Sequence, residues 1–198
     1  FQGGFQVTEY LQQAGHERIA FLGMHAESSS EDSLLSWSQE RERGWRAAMK
    51  RAGLSVEKLS FHPTVEPDAL DWEQEMKVAF ELGREMLSSA SVTAAVAAND
   101  ATALGLMQAL KDSLIPSNFW PAIVGFDGIA ETRDLLVTSA QLSWHQIGAN
   151  AAELLWQRHH GKIAGEAQHR KVGMRIITRM TSQSHWPQAA RGVMLAHP

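Results

Sequence analysis

Ala122-Ile123-Val124-Gly125-Phe126 runs without a polar residue and ends on Asp127. A run this short, β-branched at its centre, reads as a strand buried on both faces, and such strands belong to parallel sheets covered by helices. Upstream, Val92 to Ala97 repeats the pattern with small and β-branched residues, and Arg18-Ile19-Ala20-Phe21-Leu22-Gly23 repeats it again with a terminal Gly. Between these runs the apolar period becomes helical. Val7, Tyr10, Leu11 and Ala14 precede the stop at Gly15, and a helix over Trp37 to Arg51 is closed by Gly53. Leu70 to Leu87 follows, with Asp68 or Asp71 near its start, and Asn99-Asp100 caps a helix running to Ser113. The sequence also predicts a short strand at Lys58 to His62, an extended stretch at Thr138 to Leu142, a helix over Trp144 to His160 and a last strand at Met174 to Arg179. Glu27 to Ser33 and the segment around Pro63 and Pro67 read as loops, and the tail from Ser182 onward has no period. Strands alternating with helices predict an α/β fold whose mostly parallel sheet is flanked by helices.

With 198 residues, 44% of them hydrophobic and 20% charged, the chain is an ordinary globular one of a size that suits a single domain. Its formal net charge is −4 and it carries no Lys/Arg run, so it lacks the electrostatic footprint of a stand-alone nucleic-acid binder. The absence of cysteine excludes disulfides, thiolate nucleophiles, iron–sulfur clusters and cysteine-type zinc sites. No segment approaches the ~18 apolar residues of a membrane span. The opening Phe1-Gln2-Gly3-Gly4-Phe5 has neither an initiator Met nor the features of a signal peptide and reads as the interior of a longer protein.

In sheets of this class ligands sit beyond the carboxyl ends of the strands. That rule selects the residues after Gly23, His62, Ala97 and Phe126. Asn99 and Asp127 stand there, and an Asn amide with a carboxylate can hold the edge of a polyol or heterocycle. The competing reading is a pair of ordinary helix caps. Arg41 offers a guanidinium fork, against the reading of a solvated face in Glu40-Arg41-Glu42-Arg43. Seven tryptophans make Trp37, Trp72 and Trp144 candidate stacking platforms for sugar rings, with core packing as the alternative.

Catalytic templates fail. There is no GxGxxG, GxxxxGK[ST] or GxSxG, and the nine histidines form no HExxH. His25-Ala26-Glu27 matches half of a zinc-deaminase signature whose other half needs cysteine, and His159-His160 suits a solvated helix C-terminus. The expectation is no enzyme, no cofactor and no metal.

Several local strings together resemble LacI/GalR-type transcriptional regulators. Tyr10 to Gly23 (YLQQAGHERIAFLG) is similar to the family's "YL…GH.RIAFIG" segment, and Arg41 to Met49 to its "R..GFR.AL" helix. Ala98-Asn99-Asp100-Ala101-Thr102-Ala103-Leu104-Gly105 resembles "AND..ALG", and Val124-Gly125-Phe126-Asp127 resembles "VGFD". Gln146-Ile147-Gly148 with Ala151, Ala152, Leu154 and Leu155 resembles the "mG..A...LL" helix, and Arg175 to Thr181 the closing strand. The resemblance implies a type I periplasmic-binding-protein-like effector domain, here mostly its C-terminal subdomain. Residues 16–143 and 172–181 would form the C-terminal lobe, the helices within 1–15 and 144–160 would belong to the N-terminal lobe and lack their partners, and 182–198 would be an irregular tail. The resemblance further implies that Arg41, Asn99, Asp127 and the aromatic Trp72 contact a small carbohydrate-like effector. It places a homodimer interface at Leu104, Met107, Gln108, Lys111 and Leu135, for which core packing is the alternative reading of Leu104 and Met107.

Departures from the family pattern fall at Leu142, where a Gln is usual, at Gly128, where a second Asp is usual, and in a Pro116–Gly125 segment two residues longer than usual. The implied activity is a ligand-driven shift between lobe arrangements in a cytoplasmic repressor that reaches DNA only through a headpiece outside this chain and does not touch a membrane. A periplasmic sugar-binding protein or sensor domain is the alternative.

Overall fold

The computed structural model describes residues 1–26, 36–64 and 72–183. The apolar runs form one six-stranded sheet of β1 (Ile19–Leu22), β2 (Ser60–Phe61), β3 (Ala94–Ala97), β4 (Ala122–Phe126), β5 (Thr138–Leu142) and β6 (Met174–Ile177), in the order β2-β1-β3-β4-β5-β6. The first five strands are parallel, and β6 runs antiparallel on the β5 edge, with Ser139 opposite Ile177. Every residue of β1, β3 and β4 is buried, as their unbroken apolar sequences require.

Helices α1 (Gln2–Gln13), α2 (Ser36–Arg51), α3 (Trp72–Ser89), α4 (Asp100–Asp112), α5 (Ala130–Asp134) and α6 (Trp144–His159) alternate with the strands. The chain steps from β1 to β2 in one direction and from β2 past β1 to β3 in the other, so right-handed crossovers place α2 and α3 on opposite faces. α1 packs on α2, and α3 packs on α4. Trp45 is the largest fully buried side chain among the described residues, and its Nε1–H donates to the Ile19 carbonyl at 3.1 Å, so the indole N–H is paired beneath α2.

Several elements differ from the sequence reading. β2 is only two residues long because Lys58 takes a left-handed backbone with φ 56°, which breaks the extended run before Ser60. Ser182, expected in the irregular tail, is buried: its hydroxyl meets Thr138 Oγ1 at 2.7 Å and Tyr10 Oη at 2.8 Å, beside a Thr181 hydroxyl that donates to the Ile123 carbonyl at 2.7 Å. The two end helices, both expected to lack partners, behave differently. α1 buries Gly4, Val7, Thr8 and Leu11 against its neighbours, whereas α6 buries no residue and exposes Trp144 (60%), Leu155 (71%) and Trp156 (49%). The Glu27–Ser33 loop, Asp68, Asp71 and the tail beyond Gln183 lie outside the described residues.

Candidate functional site

The carboxyl ends of β3 and β4 bring two of the expected site residues into direct contact. Arg41, on the first half of α2, donates from Nη2 to Asp127 Oδ1 at 3.1 Å and from Nη1 to the Ala98 carbonyl at 2.5 Å. Its guanidinium carbon lies 4.9 Å from the Trp37 ring centre and 4.4 Å from that of Phe126, so the fork is held between two aromatic faces. Burial lowers the Arg41 pKa, while the neighbouring Asp127 carboxylate opposes that fall and keeps the pair ionic. Asp127 adopts φ 98°, and its backbone N–H donates to Ala140 at 3.1 Å. The turn therefore leaves the regular ladder just where the carboxylate is presented to Arg41.

Behind the pair sits Asp100, buried to 1% exposure. One carboxylate oxygen accepts from Gly128 N (2.8 Å), Ile129 N (2.9 Å) and Thr132 Oγ1 (2.9 Å), and the other from Ser139 Oγ (2.7 Å). Sequence reasoning gave Asp100 only a capping role. In the fold it shapes the turn that carries Asp127, in space that Gly125 leaves by having no Cβ. Burial pushes its pKa up, against the hydrogen bonds from Ser139, Ile129 and Thr132.

Asn99 caps a helix and holds a second side chain at the same time. Its Oδ1 caps α4 by accepting from Thr102 N at 2.8 Å, and its Nδ2 donates to Glu75 Oε2 at 2.9 Å. Glu75, which sequence reasoning did not select, stands one turn after Trp72 on α3. Burial raises its pKa, opposed by the Asn99 bond and reinforced by the Asp127 charge. A period of three from Trp72 was the available signal.

A cavity of about 350 Å³ opens beside Arg41, lined by Trp37, Phe126, Leu142, Met174 and residues of α1. Trp37 and Leu142 are thus wall residues, and Leu142 brings an apolar side chain to a place where the family pattern has an amide. Trp72 does not line this cavity. It stands 38% exposed at the start of α3, on the Glu75–Asn99 side. Trp144 stands on exposed α6. Of the residues expected at a dimer face, Leu104 and Met107 are 6% and 3% exposed and belong to the core of this chain, the alternative reading of them; α3 meets α4 at Gly105, Leu106 and Ala109. Gln108 and Lys111 are exposed, and Leu135 is half-buried against the core.

The fold also gathers what local spacing could not. His25 after β1, Glu42 on α2 and His62 after β2 offer ligand atoms within 4.8 Å of one another, although no sequence template joined them and no metal set was expected.

The periplasmic binding protein-like domain family matches residues 8–182. The chain belongs to that family. It is of the LacI/GalR effector-binding type: it is 30% identical over 168 residues to the HTH-type transcriptional repressor PurR of Vibrio campbellii, covering 79% of this chain and 43% of the relative. The ribose operon repressor of Escherichia coli is 32% identical over 130 residues, covering 64% of this chain and 34% of the relative. A regulatory protein of the LacI family from Chloroflexus aggregans superposes with a TM-score of 0.72 at 25% identity, covering 90% of this chain and 59% of that one. The chain thus spans less than half the length of these curated relatives, which are transcriptional repressors and not enzymes. No helix among the described residues is long and apolar enough to cross a membrane.

Proposed function

We propose that this chain is the effector-sensing part of a cytoplasmic, DNA-binding transcriptional repressor, and that its effector is a small sugar-like molecule. The Arg41–Asp127 pair between Trp37 and Phe126 carries the reading. Its charged groups can exchange hydrogen bonds with vicinal hydroxyls, while the flanking rings suit the apolar face of a sugar. Asn99, tied to Glu75, and Trp72 lie outside the cavity beside Arg41 and would add contacts from the end of β3 and the start of α3. The two curated relatives named above, both repressors, favour a regulator over a periplasmic solute binder. DNA would be reached through a separate N-terminal headpiece.

The effector acts by binding one arrangement of two lobes better than the other, since only that difference in affinity can move the equilibrium. We assign α6 to the second lobe, because it buries nothing against the sheet, and α1 to the present lobe, because it is packed on α2. Dimerisation would use the exposed edge of α4 at Gln108 and Lys111 together with the turn at Leu135.

Thermal unfolding with ribose, other sugars, sugar phosphates and nucleosides tests the reading. A compound at a hundredfold excess over its Kd stabilises the folded chain by about 2.7 kcal/mol, a midpoint rise of about 5–10 °C at this size. Asp127→Ala removes that rise, and Arg41→Lys, which keeps the charge but loses the fork, reduces it. A rise indifferent to both substitutions would sink the site.

A further inference from the structure

A second cluster forms at the carboxyl ends of β1 and β2, against the α2 residue that follows Arg41. His25 Nε2 lies 3.1 Å from Glu42 Oε2, and His62 Nε2 lies 3.3 Å from Glu42 Oε1. His62 Nδ1 is 3.2 Å from the His25 carbonyl, which can only accept, so a proton on Nδ1 serves that contact. Ser60 Oγ stands 2.7 Å from His62 Nε2 and 2.6 Å from Glu42 Oε1, and its single hydroxyl proton serves one of the two. Arg46 supplies two donors to Glu42 Oε1, at 3.0 and 2.6 Å, and none to His62. A cation between the imidazoles and the carboxylate satisfies all of these groups.

We propose that His25, Glu42 and His62 form a binding site for a divalent transition-metal ion of the zinc class. Two nitrogens and a carboxylate oxygen are a donor set for such an ion, with a fourth position left for Ser60 or water. Ligands each ~2.1 Å from a tetrahedral ion lie roughly 3.4 Å apart, and one ligand atom from each of the three residues lies within 4.8 Å of the others. The surroundings are those of a held ligand set. His62 gives its other ring N–H to a backbone carbonyl, His25 Nδ1 meets Ser38 Oγ at 2.9 Å, and Ser38 is itself fixed by the Met24 N–H at 3.0 Å. Gly23 is required as well, because a Cβ there would lie 2.5 Å from His62 Nδ1. His62 lines the wall of a surface groove of about 1030 Å³, which gives an ion a way in. Since Glu42 adjoins Arg41, an ion here clamps the β1 and β2 ends to the turn of α2 that presents the guanidinium to Asp127.

Untagged chain stripped with chelator and titrated with Zn²⁺ by calorimetry tests this. One ion per chain is expected, with a raised thermal midpoint reversed by chelator. His25→Ala and His62→Ala each weaken binding by at least about tenfold. A double His159→Ala, His160→Ala chain, which lacks the exposed histidine pair, binds as before. Should the cluster variants fail to fold, Co²⁺ added to the native chain decides: an intense visible spectrum of a four-coordinate ion supports the site. A weak six-coordinate spectrum, no heat on Zn²⁺ addition, or binding that survives in His25→Ala and vanishes with His159 and His160 overturns it and leaves a proton as the occupant.

Discussion

Asp100→Ala is expected to cost the chain about 3 kcal/mol of stability, a fall in midpoint of roughly 6–12 °C, and to weaken effector binding although Asp100 touches no part of the cavity. The carboxylate collects four donors in a place with 1% exposure. On its removal Gly128 N–H keeps Ser139 Oγ at 3.0 Å and the Thr132 hydroxyl keeps the Ile129 carbonyl at 2.9 Å. The Ile129 N–H and the Ser139 hydroxyl proton lose their partners, and each such loss in a buried place costs about 1–3 kcal/mol. The turn they hold is the one in which Asp127 stands at φ 98°, so its release frees the carboxylate from Arg41. Asp100→Asn keeps the volume and an acceptor oxygen and should fall between Ala and the native residue. Denaturant unfolding of the three chains gives the order, and equal stabilities for Ala and Asn would show that side-chain volume and one remaining acceptor oxygen contribute nothing here and that the intact carboxylate alone matters.

The strands were legible because burial on both faces leaves a plain record: β1, β3 and β4 are the runs Ile19–Leu22, Ala94–Ala97 and Ala122–Phe126, with hardly a polar atom among them. Lys58 was not legible, since a left-handed backbone at a lysine leaves no compositional mark. Ser182 looked like tail because its value lies in hydroxyl pairing with Thr138 and Tyr10, residues far away in sequence. Arg41 and Asp127 could be chosen from the strand-end rule and the family strings. The Arg41–Trp37 contact is a one-turn spacing along α2, whereas the approach of Asp127 and Phe126 to Arg41 needed the crossover geometry. The Glu75–Asn99 bond and the His25–Glu42–His62 cluster escaped because each joins groups from separate elements. Leu104 and Met107 kept two readings, dimer face and core, because an apolar stripe records only that something covers it; in the fold both belong to the core of this chain.

Gly4→Ala is expected to destabilise the chain by about 3 kcal/mol, even though alanine favours an isolated helix by about 1 kcal/mol over glycine. α1 and α2 cross with their backbones in contact. A Cβ on Gly4 would fall on the Arg41 carbonyl oxygen, with the Arg41 carbonyl carbon at 2.8 Å. Across the crossing, a Cβ on Gly44 would fall on the Phe1 carbonyl oxygen and stand 2.6 Å from Phe5 N. These obstacles are main-chain atoms, so no rotamer change relieves them and the helices must separate. Separation loosens Val7 and Leu11, both fully buried, and shifts the segment of α2 that carries Arg41. The substitution should therefore lower effector affinity as well as the midpoint, linking the α1–α2 contact to the site. Gly148→Ala on α6 is the control. A Cβ there meets nothing within 4 Å, so only helix propensity remains and a gain of about 1 kcal/mol is expected. Thermal unfolding of both variants separates the effects, and a Gly4→Ala chain as stable as the native one would show that α1 is not held on α2 by this crossing.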